Sequence, residues 1–76
     1  MRTLYDLDKN QVGVIVKLDN HINSKSRLAE MGLMPGADVR MIKKTPMGGP
    51  IQIKINNYYL TLRKEDAILI YLEVSK

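Results

Sequence analysis

The stretch Asn23-Ser24-Lys25-Ser26-Arg27-Leu28-Ala29-Glu30-Met31-Gly32-Leu33-Met34-Pro35-Gly36 is where this chain most clearly leaves a period of two. Asn23 or Ser24 supplies a side-chain oxygen able to cap the first free N–H groups of a helix. Gly32 supplies the left-handed residue that ends one. With Gly32 just past the helix, Leu33 follows it and Leu28 lies on the last turn, which is the hydrophobic pair of a Schellman ending. Pro35 prevents the helix from resuming. Leu28 and Met31 are three apart and share a face. Two turns of helix do not hold alone in water. This one must therefore lie against a sheet, and the apolar side chains near Leu69 and Tyr71 offer one place for it.

Outward from the helix the pattern is that of strands. Upstream, Val12, Val14, Val16 and Leu18 alternate with Gly13, Ile15, Lys17 and Asp19, which predicts a strand with that first set on the core face. Downstream, Asp38 to Lys44 places Val39 and Met41 on one face. Ile51, Ile53 and Ile55 alternate with Gln52, Lys54 and Asn56, and Leu60 and Leu62 alternate with Tyr59, Thr61 and Arg63. Asn56-Asn57 between these two runs is a hairpin signal, because asparagine tolerates the left-handed conformation of a tight turn. Thr45-Pro46-Met47-Gly48-Gly49-Pro50 reads as a loop, and Lys64-Glu65-Asp66-Ala67 as a single helical turn. The final run, Ile68 to Val74, is apolar on both faces until Glu73, so it is covered on both sides or forms an interface, which leaves room for weak self-association. Residues 1–76 are thus expected to form one all-β domain. About five strands close into a small SH3-like or OB barrel, with one short α-helix between the first and second strands.

Composition removes several function classes. The chain has 76 residues, 45 % of them hydrophobic and 26 % charged, and no cysteine. Disulfide frameworks, thiolate metal sites and thiol nucleophiles are excluded together. Twelve basic against eight acidic side chains give a net charge of +4, a mild excess that permits nucleic acid as a partner without requiring it. The first residues carry acids early and show no apolar targeting segment. The longest nearly apolar run, Ala67 to Leu72, is far short of the roughly 18–20 residues that span a bilayer. A cytoplasmic protein without direct membrane insertion is the expectation.

Candidate chemistry is sparse. Asp19, Asn20, His21 and Asn23 form the one loop where a cation could be held, yet no second histidine completes a set, so a solvated loop end is the plainer reading and no metal or cofactor is expected. The acids are scattered, no Ser-His-Asp arrangement suggests itself, and no phosphate-binding GxxxxGK[ST] loop is present, so no enzymatic activity is expected. Arg40, Lys43, Lys44 and Lys54 could form a basic edge beside Tyr58 or Tyr59. This supports an alternative function, a small barrel that binds single-stranded nucleic acid. Arg63 followed by Glu65 offers a local ion pair of little energetic weight. Met31 and Met41 suit the core. Met34 and Met47 sit in Pro/Gly loops that cannot easily bury them, and methionine adapts well to binding surfaces. Shape-fixed loops beside an arginine make a partner surface of Arg27, Met34, Pro35, Met47, Gly48 and Gly49 the expectation.

The order Arg27-Leu28, then Gly32-Leu33, Pro35-Gly36 and Val39 resembles the signature of the FeoA family, small cytoplasmic proteins of bacterial ferrous iron uptake. Pro46-Met47-Gly48-Gly49-Pro50-Ile51 is similar to that family's Pro- and Gly-rich loop, and Leu60-Thr61-Leu62-Arg63-Lys64-Glu65-Asp66-Ala67 to its later segment. Asn10-Gln11 stands where the family often has Pro-Gly, and Asn56-Asn57 where it usually has glycine. The resemblance implies an SH3-like barrel, the fold also found at the C-terminus of DtxR-type iron-dependent repressors. It further implies an accessory role in which the chain binds and modulates the cytoplasmic part of the membrane transporter FeoB. Transition-metal binding is associated with the family, and the residues present here do not support it.

Overall fold

The computed structural model describes residues 2–23 and 25–75 of the chain. Its elements in order are β1 (Arg2–Thr3), a 3-10 turn (Leu4–Asp6), β2 (Val12–Leu18), α1 (Lys25–Glu30), β3 (Asp38–Lys44), β4 (Ile51–Ile55), β5 (Tyr58–Leu62), α2 (Lys64–Ala67) and β6 (Ile70–Val74). The six strands form one antiparallel sheet in the order β1-β6-β2-β3-β4-β5. The sheet curls around a single core into the expected SH3-like form, and β1 and β5 remain its two edges.

The expected five strands are β2 to β6. The addition is at the N-terminus, where β1 pairs with β6 through Arg2↔Leu72 and Thr3↔Tyr71. Thr3 donates to Asp6 Oδ2 from its backbone N–H (3.0 Å) and from Oγ1 (3.1 Å), which ties the 3-10 turn to the strand. That turn buries Leu4 and Leu7 completely. At about 1.5–3 kcal/mol for a fully buried leucine, these two side chains anchor the start of the chain in the core. The last strand begins at Ile70 rather than Ile68, because α2 and its following turn use Lys64 to Leu69.

The phase of β2 differs from the expected one. Gly13, Ile15 and Leu18 face the core, Val12 and Val14 are half-buried, and Val16 is exposed. Ile15 pairs with Leu72 and Lys17 with Tyr71, so Val16 is the extra residue of a bulge that turns Leu18 back inward. Gly13 decides the phase. A Cβ there would lie 3.0 Å from Leu72 Cδ1 and 3.1 Å from the Glu73 carbonyl oxygen, so only glycine lets β2 and β6 approach this closely. Elsewhere the alternation holds: Val39, Met41, Ile51, Ile53, Ile55, Leu62, Ile70 and Leu72 are all buried.

The helix ends as its sequence predicts. Leu33 N–H donates to the Leu28 carbonyl (2.9 Å) and Gly32 N–H to the Ala29 carbonyl (2.9 Å), with Gly32 at φ +99°. These are the two bonds of a Schellman motif, and Leu28 and Leu33 are both buried beneath it. The cap at the other end is expected at Asn23 or Ser24, and Ser24 lies outside the described residues. The place offered for the helix beside Leu69 and Tyr71 is not where its side chains gather. Arg27 and Met31 share a groove with Leu60, Thr61 and Leu62 of β5, and Gly32 lies against Ile55 and Asn56. Tyr71 is instead covered by Lys17, whose Nζ stands 5.5 Å from the ring centroid.

Candidate functional site

The expected partner residues divide between the two ends of β3. Met34 and Pro35 lie just before it, where a turn closes with Ala37 N–H donating to the Met34 carbonyl (3.1 Å). Met47, Gly48 and Gly49 lie just after it, in the loop closed by Thr45 N–H on the Pro50 carbonyl (3.0 Å). A seven-residue strand is about 20 Å long. The protein measures only 27 × 26 × 25 Å, so these are two separate patches. Arg27 belongs to neither turn. It is exposed on α1 and lines the groove beside β5.

Exposure agrees with the expectation for the methionines. Met31 is half-buried against the core and Met41 is buried, whereas Met34 is 45 % and Met47 100 % exposed. Met47 also has φ +67°, a conformation uncommon for a residue with a side chain. Its side chain makes no packing contact that would offset the strain of that backbone conformation. Beneath this loop, Lys44 and Lys64 place their Nζ atoms 5.1 and 5.3 Å from the Tyr5 ring centroid, one from β3 and one from α2.

Of the four expected basic side chains, Arg40 and Lys54 line one groove of about 590 Å³ with Val12, Gly36 and Asn56, and Lys43 and Lys44 lie apart from it. Arg40 Nη1 donates to the Asn10 carbonyl (2.9 Å) and braces a turn in which Asn10 itself takes φ +67°. Lys44 is folded over Tyr5. Lys54, opposite Arg40 in the ladder, stands 5.8 Å from the ring of Tyr59, which is 58 % exposed. One cation beside one exposed aromatic ring is a small platform for a nucleic-acid base.

Asp19 and His21 meet in their loop, but as a hydrogen-bonded pair. His21 donates to Asp19 Oδ1 from its backbone N–H (2.8 Å) and from Nδ1 (2.8 Å), while the Tyr71 hydroxyl lies 3.5 Å from Oδ2. The backbone bond from His21, followed by its side-chain bond, holds the Asp19 carboxyl below its ordinary value. Among the described residues no three His, Asp or Glu side chains converge, and His21–Asp19 is the one contact between a basic and an acidic side chain within 4 Å. The expected pair between Arg63 and Glu65 does not form among them. Arg63 is extended ahead of α2, and Glu65 lies in the helix's first turn. Among the described residues no helix is long and apolar enough to cross a membrane.

The fold is that of a small SH3-like domain, with Met34 and Met47 exposed in its loops. The FeoA domain model matches residues 2–74, and the chain belongs to the FeoA family. It is 30 % identical over 71 residues to an Fe(2+) transport protein A/Fe(2+) transporter FeoB fusion protein of Porphyromonas gingivalis, a match that covers 93 % of this chain and 8 % of the relative. The chain therefore spans a small part of that relative's length. The crystal structure of Stenotrophomonas maltophilia FeoA complexed with zinc, a prokaryotic SH3 domain protein, superposes with a TM-score of 0.80 at 28 % identity, covering 96 % of this chain and 91 % of that one. A manganese-dependent transcriptional repressor shares the fold, with a TM-score of 0.85 at 17 % identity over 97 % of this chain and 36 % of its own.

Proposed function

We propose that this chain is a non-enzymatic accessory protein of ferrous iron uptake. In this reading it works in the cytoplasm, binds the cytoplasmic part of a FeoB-like membrane transporter and biases that protein's conformation. The observation that carries it is the fusion in the Porphyromonas relative, where a segment similar to this chain is continuous with FeoB. Fusion fixes two domains at high effective concentration, which suits domains that act on each other. A free-standing chain needs a docking surface to reach the same state.

Docking is assigned to Met34 and Pro35 at one end of β3, to Met47, Gly48 and Gly49 at the other, and to Arg27 on α1 beside β5. Turns closed by their own hydrogen bonds lose little entropy on docking. The exposed thioethers supply adaptable apolar contact. To bias the transporter, the chain must bind one of its states more tightly than another. The nucleic-acid alternative is the weaker reading, because Arg40 and Lys44 are engaged within the protein itself.

The test is ferrous iron uptake in cells that lack this protein. The intact chain should restore uptake, and a variant carrying both Met34→Ala and Met47→Ala should restore much less while remaining folded. Uptake that is the same with and without the protein would sink the proposal.

A further inference from the structure

The sheet has two edges, and only one is blunted. Proteins protect an exposed edge with brevity, charge, proline, a bulge or a covering element, because its free N–H and C=O groups are a template for another strand. β1 is two residues long, includes Arg2 and runs straight into the 3-10 turn. β5, Tyr58-Tyr59-Leu60-Thr61-Leu62, has no charge and no proline, and its register with β4 is continuous from Ile51↔Leu62 to Ile55↔Tyr58. Beyond a two-residue turn the closing pair Ile55↔Tyr58 is hydrogen-bonded, and the bonded positions then alternate. Tyr58, Leu60 and Leu62 therefore spend their backbone groups on β4, and those of Tyr59 and Thr61 point away from the sheet.

A groove of about 520 Å³ lies along this edge. Leu60, Leu62 and Met31 give it an apolar wall, Thr61 forms its edge, and Arg27 and Arg63 stand over it. Among the described residues neither guanidinium is ion-paired, and Lys54 follows on the outer face beside Tyr59. Glu65 and Asp66 close the end beyond Arg63.

We propose that this groove takes an extended acidic segment of a partner protein as an added strand on β5. The backbone of Tyr59 and Thr61 would supply the ladder bonds, and Arg27 and Arg63 would hold its carboxylates. Strand addition draws affinity from main-chain bonds and selectivity from alternate side chains. Inward positions of the added strand meet Met31 and Leu60, so they suit apolar residues. Arg27 and Arg63 stand beside the groove, so positions that reach them suit glutamate or aspartate. The inference concerns the chemistry of the segment, whichever protein carries it, and so stands apart from the transporter reading.

The test uses the intact protein and a short synthetic peptide alternating valine and glutamate, with alternating valine and lysine as the control. Two-dimensional NMR should show the Tyr59 and Thr61 amides exchanging at least about tenfold more slowly with the glutamate peptide. The lysine peptide should leave them unchanged. Arg63→Glu should weaken binding about tenfold. Thr61→Pro should abolish it while leaving the spectrum of the core intact, because that N–H makes no bond in the sheet. If Thr61→Pro unfolds the protein, the Arg63→Glu titration and the amide protection still decide. Binding without protection of Tyr59 and Thr61, equal binding of the lysine peptide, or protection that grows with protein concentration alone would overturn the proposal.

Discussion

The two ends of β3 carry similar loops and hold them in opposite ways. Before the strand, the chain leaves α1 through a Schellman motif whose two leucines are buried, and Met34 is the one exposed large side chain on a rigid base. After the strand, the Thr45–Pro50 loop projects a fully solvated Met47 on left-handed backbone, tied at its root by one ladder-like bond. Proline and glycine are common to both. Local composition therefore marks a turn, and only the burial of the flanking side chains says whether that turn is part of the core. Substitutions of the buried leucines at the first end should be read in stability, and those of the exposed methionines at either end in binding.

The largest expected effect is at Leu33, which is fully buried. Leu33→Ala should destabilise by about 2–5 kcal/mol, read from urea midpoints, because it leaves a cavity under the helix end. Next is Gly32→Val. At φ +99° an L side chain is strained, and a new Cβ would sit 2.8 Å from Asn56 Nδ2. A loss of roughly 1–2 kcal/mol is expected from the backbone alone. An unchanged melting temperature would remove the contrast between the two ends. Met47→Ala should change stability by less than about 0.5 kcal/mol, since the side chain touches nothing. A loss of about 2 kcal/mol would mark Met47 as structural and collapse the comparison from the other side.

The smallest effect is electrostatic. Asp19 has a folded pKa below its ordinary value, so its charged form is favoured in the native state. Its contribution is present above the unfolded pKa and lost as pH falls through the lower folded value. Asp19→Asn should flatten the fall of melting temperature on acidification and leave its behaviour near neutrality almost unaltered. An acid limb of unchanged slope would show that the His21 contacts do not hold in solution.

Much of this architecture is legible from local chemistry. The bounds of β3, the isoleucine face of β4 and the Gly32 ending follow from alternation and from one left-handed residue. Asn10 and Asn56, which replace residues common in the family, both take left-handed backbone, as asparagine can. The phase of β2 is not legible by counting valines, because both its faces are partly apolar. It turns on Gly13 meeting β6, a strand that lies more than fifty residues away in sequence. The 3-10 turn is hidden for another reason. Leu4 and Leu7 are two residues in a polar segment too short to show a period, and their burial depends on β1 finding β6. At the candidate site, the exposure of Met34 and Met47 follows from their loops. Their separation could also be read from sequence, since seven strand residues between two turns keep those turns apart. The groove on β5 could not, because an edge exists only once strand order is fixed.

The most direct test of the central claim is a calorimetric titration of the intact protein with the purified cytoplasmic portion of the FeoB-like transporter from the same organism. The account predicts a saturable one-to-one isotherm, weakened by Met34→Ala or Met47→Ala in protein whose melting temperature is preserved. No heat of binding in any nucleotide state of the transporter domain, with both proteins folded, would contradict it.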